Sequence, residues 1–426
     1  MYVKRLALDN LRGFEHLDFT FERQGGAYAG WTVITGDNAS GKTALLKAIA
    51  LALIGPDPAH SLQPSLNGWI RRGAEKAVIA AEIVASDVDR FAKGRRYEKP
   101  FWSELHIAGA DEPQAVLKVG SEYKGKGLGP THGPWAENTE GWFSAGYGPF
   151  RRLYGTSPSA QRVMSGPGAM ARFATMFLED ATLRECELWI KDLHFRHLEQ
   201  RERESSILEQ VLRLLNDDFL RNGLRVEKVD SEAVWLRDSS GIELPLAEMS
   251  DGYRASLAML ADILRHIIHV YGHENLIRES NGRLVVPHPG VVLVDEIDSH
   301  LHPEWQRVIG FWFKERFPNI QFIVTTHSPI ICQAADPNGI FHLPAPGSHL
   351  PPFALSDGDY RKIIKSKPDA IYVSPAFGMQ HTRSPQAVAK RREYARLQAK
   401  QQAGCLSQSE AREVQMLGSW IDAEED

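Results

Sequence analysis

Residues 36–43 read Gly-Asp-Asn-Ala-Ser-Gly-Lys-Thr, a glycine-bounded run ending in a lysine and a threonine. These residue types suit an anion. Gly36 and Gly41 let the backbone curl so that the N–H groups of Asn38, Ala39, Ser40, Gly41, Lys42, Thr43 and Ala44 converge on a phosphate. A helix start at this point adds about half a positive charge. Lys42 would reach the β- and γ-phosphates of a nucleotide, and Thr43 would offer its hydroxyl to Mg²⁺. Such a loop needs a strand before it and a helix after it. Both are predicted: Trp31-Thr-Val-Ile-Thr35 is apolar and β-prone, and the stretch from Ala44 to Leu53 is rich in strong helix formers.

Two further stretches end in chemistry. Val291-Val-Leu-Val294 is an uninterrupted apolar run followed by Asp295 and Glu296, the pattern of a strand buried on both faces. Carboxylates at the carboxyl end of such a strand lie where open α/β sheets bind ligands. Asp295 is expected to hold Mg²⁺ through water, Glu296 to polarise an attacking water, and Asp298 to be a further polar contact or simply solvated. Gln321-Phe-Ile-Val-Thr-Thr-His-Ser-Pro329 is a second buried strand, and His327 would lie at the same sheet edge as Glu296. A third stretch, Ser250-Asp-Gly252, opens a helix running to about His269, and a serine-glycine helix start is a second place for an anion. One subunit cannot easily turn both helix starts on one nucleotide. Two copies packed head-to-tail can, each nucleotide lying between one loop and the other copy's Ser250 and Gly252. Near the amino terminus, Arg12 and Phe14 could cover a bound base or phosphate, or be a turn arginine and a core phenylalanine.

The ordered set of Gly36–Thr43, Ser250-Asp-Gly-Tyr-Arg254, Asp295-Glu296 and Thr326-His-Ser-Pro329 resembles the ABC-type ATPases, in the branch that holds RecF, the structural-maintenance-of-chromosomes proteins and OLD-like nucleases, often called AAA family ATPases. The resemblance runs in order from Met1 to about Leu343. It implies an α/β, ABC-ATPase-like P-loop head with an inserted helical subdomain, ATP and Mg²⁺ as cofactors, and a homodimer or higher homo-oligomer. In that pattern Lys42, Glu296 and His327 are catalytic, Thr43 and Asp295 serve the metal, and Ser250 and Gly252 belong to the signature that meets the partner's nucleotide. Asp251 departs from the family's glycine, which puts the γ-phosphate contact in question. The segment Asp298-Ser-His-Leu-His-Pro303 matches the family's segment after the acidic pair that contacts the partner site (below, the D-loop); His300 and His302 could otherwise pair as metal ligands. The lid glutamine has no clear equivalent, and Tyr147 to Arg151 lies where it should fall. The stretches 295–306 and 317–327 also look like stand-alone prokaryotic ATPases of anti-phage operons, which implies a partner nuclease of the HNH type.

The rest of the chain bounds these expectations. At 426 residues, 43% hydrophobic and 24% charged, it has the composition of a soluble globular protein. A net charge of −5 argues against an overall electrostatic grip on nucleic acid, while local pairs such as Arg71-Arg72, Arg95-Arg96, Arg151-Arg152 and Lys390-Arg-Arg392 leave contact with nucleic acid possible. Three scattered cysteines form no disulfide framework or metal knuckle, and no apolar run approaches a membrane span, so a cytoplasmic protein with no membrane partner is expected. Four regions are expected: an ATPase lobe at 1–168, a helical insert at 169–223, a second ATPase lobe at 224–345 and a tail at 346–426. Gly55-Pro-Asp-Pro58 should stop the P-loop helix, with loop-rich sequence after it, and 124–134 reads as a surface loop. In the tail, Ser384-Pro385 and Ser407-Gln-Ser-Glu410 open two helices whose few apolar residues predict docking on the body or on a partner. With no Cys-x-x-Cys hook and no long coiled coil, chromosome tethering is not expected; without a Toprim-like acidic set, neither is nuclease activity in the chain itself. A DNA-repair ATPase, an ATP-gated DNA-binding scaffold with little turnover and a transporter ATPase are the competing readings.

Overall fold

The computed structural model describes residues 1–23, 25–109, 115–123, 127–136, 139–151, 153, 155, 157–164, 168–348 and 350–422. The start of the expected 124–134 loop, at 124–126, and Arg152 lie outside them. The chain opens with β1 (Tyr2–Leu11), β2 (Phe14–Thr20), β3 (Gly30–Gly36), α1 (Lys42–Ile54), α2 (Pro56–Leu62), β4 (Lys76–Val84), β5 (Phe101–Ala108), β6 (Val116–Val119) and β7 (Ser144–Tyr147). A helical stretch follows, α3 (Pro158–Met164), α4 (Ala169–Phe177), α5 (Arg184–Leu198) and α6 (Glu202–Leu215), and then three short strands, β8 (Arg225–Val229), β9 (Val234–Arg237) and β10 (Glu243–Pro245). The second half of the head holds α7 (Asp251–Tyr271), β11 (Arg278–Ser280), β12 (Arg283–Val285), β13 (Gly290–Val294), α8 (Pro303–Arg316), β14 (Ile320–Thr325), α9 (Pro329–Cys332) and β15 (Ile340–Leu343). The tail adds β16 (Phe353–Ala354), α10 (Asp357–Lys365), α11 (Pro368–Tyr372), α12 (Pro385–Gln402) and α13 (Gln408–Asp422).

Two sheets enclose the P-loop helix. One is antiparallel, in the order β2-β1-β4-β5-β6; the other runs β16-β15-β3-β14-β13-β7, parallel except for the edge strand β16. The sequence explains the second arrangement. Every residue of β13 and β14 is buried, as is Trp31–Thr35 of β3, so these runs fit only strands covered on both faces. Helix α1 is apolar all round and packs against strands of both sheets, the signature of a core helix. Gln321, buried on β14, stitches the sheets together: its amide accepts from Val3 N and donates to Val3 O, both at 2.8 Å. The outcome is the α/β P-loop head that the motifs implied.

Several elements depart from expectation. Gly55 does end α1, but Pro56 then starts α2 instead of a loop, since a proline at the first helical position costs no hydrogen bond. The helical stretch breaks at 178–183 and 199–201; α4 packs on β7, whereas α5 and α6 pack on each other and on α7. Helices α10 and α11 and the strand β16 were not foreseen. Among the described residues, the α12–α13 hairpin makes no contact with the ATPase body comparable to the one between its own two helices. The two helices pack chiefly on each other around Leu397 and Leu417, with Lys390 over the Trp420 ring at 4.0 Å and Lys400 paired to Glu410 at 2.6 Å. Both caps form as read: Ser384 accepts from Ala387 N, and Ser407 and Glu410 exchange hydrogen bonds as a capping box.

Candidate nucleotide site

The P-loop joins β3 to α1 at the carboxyl edge of the parallel sheet. Gly36 has φ 148° and Gly41 φ 99°, and neither position has room for a side chain. A Cβ on Gly36 would lie 2.4 Å from the Leu343 carbonyl oxygen, and one on Gly41 would lie 2.6 Å from the Phe14 ring. Phe14 is therefore a core residue that holds the loop from behind. Lys42 Nζ bridges the carbonyl oxygens of Gly36 and Asp37, both at 2.8 Å. Burial pulls its pKa below the usual lysine value, while Asp295 and Glu296 pull it back. Helix α1 begins at Lys42 with no side-chain cap, so its first-turn N–H groups are not claimed by a side chain. The Ser40 hydroxyl is buried and has no hydrogen-bond partner among the described residues. An orphaned hydroxyl beside uncapped N–H groups and a lysine fits an anionic ligand.

The acidic strand end meets the loop directly. Thr43 Oγ1 donates to Asp295 Oδ2 at 2.6 Å, and Thr325 Oγ1, at the end of β14, donates to Asp295 Oδ1 at 2.5 Å. Thr325 also accepts from Glu296 N at 2.7 Å. One threonine thus fixes both carboxylate residues, and the hydroxyl and carboxylate expected to serve Mg²⁺ converge. That donor set, all hard oxygen, fits the ion. Glu296 is half-buried, in a left-handed backbone conformation (φ 47°), with Ser299 Oγ 3.1 Å from its Oε2. Asp298 is not merely solvated: its Oδ1 accepts from Thr326 Oγ1 at 2.5 Å and from His327 N at 3.3 Å, tying the D-loop to the histidine at the end of β14. Lys42, Thr43, Asp295, Glu296 and His327 therefore belong to one edge.

Ser250, Gly252 and Arg12 are placed differently. Ser250 sits at the N-cap of α7, exposed, and its side chain makes no capping bond. Gly252 is buried against the D-loop; a Cβ there would lie 2.3 Å from the His300 carbonyl oxygen. Asp251, where the resemblance calls for glycine, is ion-paired to Arg254. Arg12 is exposed, with its guanidinium over the Trp69 ring at 4.5 Å, and its charge reaches Lys47 on the flank of α1. The His300–His302 pair is not assembled as a metal site: His302 caps α8, accepting from Glu304 N. The cluster of metal-type ligands among the described residues is Glu104, His106 and Glu122, elsewhere on the antiparallel sheet, where Glu104 is already committed to His106 and to the backbone N–H groups of Glu122 and Tyr123.

Sequence reasoning missed Thr325 and Arg151. Thr325 had a signal, as the first polar residue at the end of an apolar buried run. Arg151 had none beyond its place in the stretch left unassigned. Its guanidinium is buried and donates to the carbonyl oxygens of Gly148, Asp295 and Glu296.

A family profile described as "AAA domain" matches residues 5–96, which include the P-loop, and a second, described as "AAA domain, putative AbiEii toxin, Type IV TA system", matches residues 173–333, which include the other three motifs. The chain is an AAA-family P-loop ATPase. Among curated relatives, the "Septu protein PtuA" of Bacillus mycoides is 22% identical over 338 residues, covering 77% of this chain and 38% of that protein. A second "Septu protein PtuA", from Bacillus thuringiensis, is 29% identical over 143 residues, 33% of this chain and 34% of that one. The "Retron Ec83 probable ATPase" of Escherichia coli is 40% identical over 106 residues, 25% of this chain and 18% of the relative. The match thus spans well under half the length of each. Among solved structures, an SMC head bound to the C-winged helix domain of ScpA superposes with a TM-score of 0.49 at 17% identity, covering 84% of this chain and 98% of that one.

Proposed function

We propose that this AAA-family ATPase binds ATP with Mg²⁺ and hydrolyses it in a composite site between two copies of the chain. The observation that carries the reading is the continuous contact from the P-loop to the acidic strand end, Thr43 to Asp295 to Thr325 to Glu296 N, which assembles metal ligand and base in one place. Mg²⁺, held by Thr43 and through water by Asp295, would supply neutralisation of the phosphate oxygens. The chain's own residues do the rest. Lys42 and the N–H groups of Asn38 to Ala44 hold the phosphates, Glu296 takes the proton of the attacking water, and His327 contacts the γ-phosphate or that water. Arg12 flanks the pocket. Ser250 and Gly252 of a second copy close it from outside, which is consistent with the exposure of Ser250.

Turnover in this reading sets the state of a partner effector, a nuclease of the HNH type, in prokaryotic anti-phage defence in the cytoplasm, with nucleic acid as a possible trigger. Similarity to Septu and retron proteins supports that setting. Glu296→Gln tests the core of it. We expect kcat to fall about 10²–10⁴-fold, the usual contribution of a general base, with ATP-bound dimers accumulating on size exclusion. Hydrolysis at the parental rate would rule Glu296 out. A second reading, an ATP-gated scaffold with little turnover, is favoured by Asp251, which puts a carboxylate where the partner's phosphate would approach. Phosphate release measured with and without DNA separates the two.

A further inference from the structure

Arg151 is a buried cation that the chemistry above leaves without a role. It lies four residues beyond the end of β7, and only 6% of it is exposed. Its Nη1 donates to the carbonyl oxygens of Gly148 at 2.8 Å and Asp295 at 2.6 Å, and its Nη2 donates to that of Glu296 at 3.0 Å. Burial lowers its pKa to about 10, against the pull of Asp295, Asp298 and Glu296, so the group is charged at neutral pH. Two of its three acceptors are thus the backbone of the two residues on which the chemistry depends.

Consecutive carbonyls on a strand point to opposite sides. One planar guanidinium can take both here because the chain has left β13 after Val294 and turns at Glu296, whose φ of 47° is a conformation that residues with a side chain rarely adopt. The backbone at Glu296 decides where its carboxylate points; the same turn is also held by Thr325 on the Glu296 N–H, by Ser299 on the carboxylate, by Ser299 N on the Glu296 carbonyl at 2.9 Å and by Ile297 N on the Thr325 carbonyl at 3.0 Å. The same segment also reaches the other half of the machinery. Tyr147 O accepts from Asp295 N at 2.8 Å, while Tyr147 Oη donates to Asp262 on α7 at 2.9 Å.

We propose that Arg151 is a positioning residue for hydrolysis. Its two-pronged hold on the Asp295 and Glu296 carbonyls keeps the turn in the left-handed form that aims the Glu296 carboxylate. The proposal rests on the reading of Glu296 as the base. A lysine in its place offers charge without the planar fork, and a glutamine offers an amide without charge, so neither holds both carbonyls.

The test uses the full chain carrying Arg151→Lys, Arg151→Gln, Glu296→Gln and the Arg151→Lys/Glu296→Gln double substitution, with ATP hydrolysis titrated against ATP, ATP binding by calorimetry, and thermal melts. We expect both Arg151 variants to melt cooperatively and to bind ATP within about twofold of the parent, with kcat down roughly 10–100-fold, the scale of an ångström-level misplacement. Because the arginine acts through Glu296, the double variant should be no slower than Glu296→Gln alone. Parental kcat in both Arg151 variants overturns the proposal, as does a raised KM with kcat intact, a defect that adds in full to Glu296→Gln, or loss of the cooperative melt in both. Glu296→Gln at the parental rate sinks the underlying reading and this proposal with it; an impaired Glu296→Gln beside an unimpaired Arg151→Lys sinks this proposal alone.

Discussion

Helices α1 and α7 start alike and are surrounded differently. Neither start has a side-chain cap, so both leave first-turn N–H groups unclaimed by a side chain. At α1 the same chain supplies what an anion needs, Lys42 bent over the loop and the spare Ser40 hydroxyl, and beside them Asp295, the carboxylate expected to serve the metal, already bound to Thr43. At α7 the tip is Ser250, exposed, with an ion pair beside it. One helix start carries these partners within its own subunit, and the other is left exposed at Ser250. That asymmetry is what a shared pocket between two copies requires, and each half can be damaged separately.

The glycines give the largest contrast. Gly36→Ala must accommodate φ 148° and a Cβ 2.4 Å from a backbone oxygen, a combined strain of about 2–6 kcal/mol placed on the loop that holds phosphate. Calorimetry should show ATP affinity reduced at least about 100-fold. Gly252→Ala pushes on the His300 carbonyl instead. It should leave ATP affinity of the single subunit near the parental value and abolish nucleotide-dependent dimerisation by light scattering. If both variants lose ATP binding equally, the division into two half-sites is wrong.

Next in size is the anchor of α7. Asp262 is buried and holds Tyr147 Oη at 2.9 Å and Arg265 at 2.8 Å. Burial alone would raise its pKa, but His266 and Arg265 outweigh burial and keep it well below the carboxylate range. Asp262→Ala leaves the partly buried Arg265 without its carboxylate and should cost about 3 kcal/mol by denaturant titration. His266 beside it gives a smaller, pH-dependent effect. Burial holds its pKa below the ordinary 6.5 against the pull of Asp262, so the folded chain keeps the ring neutral longer than the unfolded chain does. The unfolded state therefore takes up the proton first. Stability attributable to His266 is complete above about pH 6.5 and falls below it, by up to about 1.4 kcal/mol per pH unit. His266→Gln should flatten that part of the pH–stability curve.

The contrast between the helices also marks what could be read in advance. The α1 side was legible because it is local: strand, loop and helix are contiguous, and the runs of β13 and β14 are apolar without a break. Thr43 and Asp295 lie 252 residues apart, yet each motif carried its own chemistry, so their meeting needed only the sheet order. Arg151 was not legible, because nothing in Gly148-Pro-Phe-Arg151 tells that the guanidinium turns inward onto carbonyls contributed by another strand. Short, weakly periodic pieces failed for a related reason. Helices α10 and α11 each bury a single residue, Ile363 and Ile371, and α2 was hidden by prolines that also serve as helix starts.

The smallest predicted effect bears most directly on the exposed half. Asp251 is an acidic residue in the first turn of α7, where it steadies the helix by about 0.3–1 kcal/mol and pairs with Arg254. The same charge faces the side from which a partner's phosphates would arrive. Repulsion between solvent-exposed charges at such a distance is on the order of 1 kcal/mol. Asp251→Gly should therefore lower the melting temperature slightly and, if the cap works in trans, raise dimer-dependent hydrolysis about fivefold at saturating ATP. Since the repulsion is screened, the gain should shrink as salt rises past 0.15 M, where the Debye length is about 8 Å. A variant that loses stability and gains no turnover at any salt concentration would mean that no phosphate meets this helix start, leaving α7 as a support for the D-loop within its own subunit.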